Sequence, residues 1–130
     1  MELVSMRIGA TIYNVGTKGK FRQFFEELYG FGFRIFELYL PFYHVLNRDS
    51  SINMNIVKEI KDVVSSFSIE ELTAHGYYDD ELGVMSNIAS VDETTRTMAE
   101  KTLISEIEIC PELNVHELCK HPGTLFPELK

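Results

Sequence analysis

Glu37, His75 and His121 are the residues of this sequence best suited to chemistry on a small ligand. Each comes late in, or just after, a short run that reads as a β-strand: Arg34 to Leu40, Glu71 to His75, and a stretch within Asn114 to Lys120. Side chains alternate across a strand, so Leu72 and Ala74 on one face put Thr73 and His75 on the other. By the same alternation, Phe36 and Leu38 on the first face put Glu37 beside the histidine. Neutral imidazole and carboxylate are the usual ligands of a catalytic divalent metal, zinc and manganese among them. Tyr78, three residues past His75, would orient a ligand at such a place or pack into the core. The plainer alternative makes both histidines hydrogen-bonded structural residues and pairs Glu37 with a nearby base.

Other chemistry finds little support. Gly16-Thr17-Lys18-Gly19-Lys20 lacks the spacing of a phosphate-binding loop and the Ser or Thr that must follow its lysine. Neither G-x-S-x-G nor C-x-x-C occurs. Asp79, Asp80 and Glu81 read as a solvated acidic loop, and His116 as an outward-facing residue.

The elements that must position Glu37 and the histidines follow from periodicity. Met6 to Ile12 alternates as a first strand, and Asn14 to Gly19 is a loop of turn residues. Phe21, Phe24, Phe25 and Leu28 form the apolar stripe of a helix, with Gly30 and Gly32 just past its end, where a left-handed cap is needed. Pro41 stops the second strand. Ile56, Ile60, Val63 and Phe67 mark a second helix capped by Asn53 or Asn55. Ser90-Val91-Asp92-Glu93 has the form of a capping box, with Ser90 as the cap. Met98, Ala99, Leu103, Ile107 and Cys110 then carry a third helix, ended by Pro111.

The order βαβαβαβ predicts an α/β fold with one parallel sheet, because helical crossovers return the chain in the same direction. Helices can cover only one face of such a sheet, and four strands cannot close on themselves. Self-association, or a partner chain, is therefore expected to cover the other face. The 130 residues make one domain, 1–130. The segment Met1 to Ser5 lacks the basic start and apolar run of a signal peptide. Two cysteines give no secreted disulfide framework, and no stretch is long and apolar enough to span a membrane, so a cytoplasmic location is expected. The net charge of −8 repels phosphate backbones. Lys18, Lys20 and Arg22 are the nearest thing to a basic patch and read as a solvated helix start.

Several motifs, in order, resemble the xylose isomerase-like barrels, which include sugar-phosphate isomerases, epimerases and endonuclease IV. Ala74-His75-Gly76-Tyr77-Tyr78 is similar to their strand-three element, and Asn87-Ile88-Ala89-Ser90 with Arg96 to the stretch that follows. His121-Pro122-Gly123 is similar to their strand-four H-P-G. Ile8-Gly9-Ala10-Thr11 and Ile35-Phe36-Glu37-Leu38 resemble their opening strands. The resemblance implies the N-terminal half of a (β/α)8 TIM-type barrel, and puts His75 and His121 on metal-ligand positions. The family's remaining ligands come from strands five to eight, which this sequence lacks.

Three functions are then open. One is a metal-dependent isomerase or epimerase of a small sugar or sugar phosphate, in which Glu37 is catalytic, Tyr78 binds substrate and a second half-barrel completes the site. Another is a non-catalytic half-barrel serving assembly or binding. The third, an endonuclease IV-like phosphodiesterase, is opposed by the acidic balance.

Overall fold

The computed structural model of the chain describes residues 7–12, 20–78 and 83–123. The loop expected over Asn14 to Gly19, the lysine at 18, the start of the first strand at Met6 and the acidic residues 79 to 81 lie outside this set. Among the described residues four strands and three α-helices alternate: β1 (Ala10–Ile12), α1 (Lys20–Gly30), β2 (Ile35–Tyr39), α2 (Met54–Ser65), β3 (Glu71–His75), α3 (Glu93–Glu112) and β4 (Glu117–Cys119). The fold is α/β. All strand pairs are parallel and the sheet order is β1-β2-β3-β4, so each crossover leads to the adjacent strand.

The sheet has two unlike faces. Ile12, Phe36, Leu38, Leu72 and Ala74 are buried and join Phe21, Phe25, Val57, Ile60, Val63 and Ile109 of the helices in one core. On the opposite face the register aligns Thr11 with Glu37 and Thr73, and Tyr39 with His75 and Cys119. Thr11, Glu117 and Cys119 are exposed there, and Glu37, Thr73 and His75 half-buried. This face is mostly polar rather than the apolar surface usual on a two-sided parallel sheet.

Local signals explain where most elements end. Gly32 (φ 100°) closes α1 in a Schellman motif: its N–H donates to Tyr29 O and the Phe33 N–H to Leu28 O. Gly30, by contrast, is the last helical residue. Phe24 lies at the rim of the α1 stripe and is partly exposed, while Phe21 and Phe25 are buried. Asn53 caps α2 by accepting from Ile56 N. Pro41 ends β2 by opening a 3₁₀ turn over Leu40–Tyr43.

α3 departs from the sequence expectation in three ways. Its N-cap is Asp92, whose Oδ2 accepts from Thr95 N at 2.7 Å, while Ser90 Oγ accepts from Asp92 N one step earlier. The buried face is Ala99, Thr102, Ser105, Glu106 and Ile109, and Ile107 is more than half exposed. Finally, Pro111 lies inside the last turn, and the helix closes at Asn114 (φ 56°), where Val115 N reaches Cys110 O and Asn114 N reaches Pro111 O. The physical reason for the shifted face is polar. Ser50 Oγ bonds Thr102 Oγ1 at 2.6 Å, Thr102 Oγ1 donates to Met85 O, and Ser105 Oγ donates to Ser50 O. Apolar periodicity carries no trace of such partners.

Candidate functional site

β2 and β3 lie side by side with Glu37 opposite Thr73 and Tyr39 opposite His75. His121 follows β4 by two residues and so returns to the face that carries Cys119. There the imidazoles of His75 and His121 meet with their Nε2 atoms 3.1 Å apart. Tyr39 stacks at a tilt on His75, with centroids 5.0 Å apart, and Tyr78 meets the His121 ring edge-on at 4.9 Å. Thr11 Oγ1 donates to Glu37 Oε1 at 3.2 Å. All four sequence-derived candidates, Glu37, His75, Tyr78 and His121, line one cleft of about 490 Å³ together with Thr11 and Tyr39. That volume suits a small metabolite.

The hydrogen bonds define which ring nitrogens are free to act as donors of electron pairs. His75 Nδ1 lies 2.9 Å from Gly76 O, and a carbonyl oxygen can only accept, so the proton of a neutral His75 sits on Nδ1. Its Nε2 then presents a lone pair toward His121, whose Nε2–H donates to it. A metal ion with M–N bonds of about 2.0–2.1 Å at tetrahedral angles holds two nitrogens about 3.3 Å apart. The histidine pair therefore fits two positions of such an ion with little movement. Among the described residues no cluster of three or more His, Cys, Asp or Glu side chains is placed to hold a metal. The histidine pair is thus the donor set that the described residues bring together.

Sequence reasoning missed the group beneath the histidines. Glu106 of α3 is fully buried. Its Oε1 accepts from Tyr77 N at 2.6 Å and from Lys120 Nζ at 3.1 Å, while Oε2 lies 2.9 Å from the same ammonium. Lys120 Nζ also donates to Tyr77 O at 2.8 Å. Burial raises the Glu106 carboxyl above the usual range, and the Lys120 charge, the Lys120 and Tyr77 hydrogen bonds and nearby His75 offset part of that. A Cβ on Gly76 would come within 2.7 Å of Glu106 Oε1, so glycine is what lets the carboxylate reach the end of β3. The available signal was Lys120 itself, a cation at the end of a strand and next to a candidate ligand.

His116 is exposed, as expected, and precedes β4 on the far side of the sheet from this cleft. Cys110 is half-buried, donates its Sγ–H to Glu106 O, and has its thiol pushed up by burial. No helix among the described residues is long and apolar enough to cross a membrane. The sequence matches no known protein-family model, and no curated protein matches it.

Proposed function

We propose that the chain is half of a (β/α)8 barrel of the xylose isomerase-like kind, a sugar or sugar-phosphate isomerase or epimerase with a partial divalent-metal site at the C-terminal strand ends. The observation that carries this reading is the 3.1 Å approach of His75 Nε2 to His121 Nε2 at the mouth of a parallel sheet. His75 and His121 would hold the ion, zinc or manganese, and a second copy or a partner chain would supply the remaining ligands. When bound, such an ion polarises a carbonyl or a pair of hydroxyls. Glu37, held by Thr11, would carry a proton between adjacent carbons of the substrate, and Tyr78 at the rim of the cleft would orient it. Free Cys110 and Cys119 fit a reducing compartment, so the cytoplasm is the proposed location.

Elemental analysis of protein purified without chelator or metal-affinity resin tests the site, beside a His75→Ala variant. The expected result is zinc or manganese near one ion per chain or per pair of chains, lost in the variant. Metal-free protein that also fails to bind added zinc or manganese in calorimetry would end the metal-site reading. That two histidines alone come together as donors among the described residues favours one other reading, a non-catalytic half-barrel that serves assembly or binding. Turnover of sugar phosphates by metal-loaded protein would exclude it.

A further inference from the structure

We infer that Glu106 is a positioning residue for His75, acting through the Gly76–Tyr77 peptide plane to fix which ring nitrogen carries the proton. The C=O of Gly76 and the N–H of Tyr77 belong to one trans peptide unit, so they point in opposite directions along a rigid plane. Glu106 Oε1 holds the N–H end at 2.6 Å, and His75 Nδ1 meets the C=O end at 2.9 Å. Turning the plane would break both bonds at once. A carboxylate on the N–H also polarises the unit and makes its oxygen the better acceptor. The result is a His75 locked with its proton on Nδ1 and its Nε2 lone pair aimed at His121.

Lys120 ties the second histidine into the same device. Its ammonium joins Glu106 and the Tyr77 carbonyl, and it is the residue immediately before His121. Gly76 N also donates to Cys119 O, two residues before His121. One buried carboxylate thus governs both chain ends that carry the donors. Its use to a metal rests on the proposed function above, but the tautomer it sets exists without metal.

The test is the tautomer of His75 in metal-free protein labelled with ¹⁵N-histidine, read from long-range ¹H–¹⁵N spectra at about pH 8, where an ordinary imidazole is neutral. Wild type is expected to show Nδ1–H. Glu106→Gln keeps an oxygen for the Tyr77 N–H and is expected to retain Nδ1–H. Glu106→Met removes the acceptor and is expected to give a mixture or Nε2–H. Nε2–H in wild type, or undiminished Nδ1–H in folded Glu106→Met, would overturn the inference. If Glu106→Met does not fold, the other two spectra decide, because Nε2–H in either one overturns it. Metal titration stays a separate readout: failure to bind zinc or manganese with Nδ1–H in place would sink the metal site and leave the positioning role standing.

Discussion

Glu106 and Lys120 form an ion pair at the end of the sheet, with Oε2 and Nζ 2.9 Å apart, joining the middle of α3 to the residue that follows β4. The carboxylate is wholly buried and the lysine side chain 12% exposed, so the pair is sheltered from the screening that weakens surface pairs. Oε2 makes no hydrogen bond of its own, which leaves the ammonium as its compensation among the described residues.

Lys120→Met should therefore be costly. Removing one partner of a buried pair strands the other charge, a loss of about 3–5 kcal/mol. The double variant Glu106→Gln/Lys120→Met removes both charges and still offers Tyr77 N–H an acceptor, and it is expected to recover most of that loss. Urea unfolding of the three proteins measures this. A loss below about 1 kcal/mol for Lys120→Met would show that water reaches the carboxylate.

Stability should also depend on pH through Glu106. Its folded-state carboxyl is raised by burial, so the native state holds a proton where the unfolded chain has released it. The contribution is fully present below the unfolded carboxyl value, about pH 4.3, and declines as pH rises through the raised folded value. Unfolding free energies across this window should fall more steeply in wild type than in Glu106→Gln. Parallel profiles for the two proteins would contradict the assignment.

The cap of α3 can be checked by a pair of substitutions. Asp92→Ala should lower the thermal midpoint more than Ser90→Ala, because the Asp92 carboxylate satisfies Thr95 N while Ser90 only braces the preceding turn. The hydrogen bonds to Thr95 lower the Asp92 carboxyl, so this stabilisation is present above the usual Asp value and lost as pH falls below it. A larger effect from Ser90→Ala would restore the capping box.

Divalent metal is expected to promote pairing of chains. Glu37 and Glu117 share the sheet face that carries His75, so two such faces repel until a cation lies between them. Sedimentation velocity should show monomer in chelator and dimer with zinc or manganese, and His121→Ala should stay monomeric in both. Equal dimer content in chelator would show that other forces bring the copies together.

The sequence carried a good deal of this protein on its own. The α1 stripe, the glycine after it, an asparagine cap for α2 at 53 or 55 and the bounds Glu71–His75 were legible because each depends on residues within a turn or two of one another; the structure chose Asn53. Strand alternation likewise placed Glu37 and His75 on one face. What only the tertiary structure decided is the convergence of groups far apart in sequence: His75 on His121, and Glu106 on Lys120 and Tyr77. The same holds for α3, whose buried face joins Ala99 and Ile109 to polar residues bonded to Ser50, Met85 and Lys120, and leaves Ile104 and Ile107 exposed. A local pattern reports which side chains avoid water. It does not report which polar groups satisfy one another across the fold, because that depends on where packing brings distant elements together.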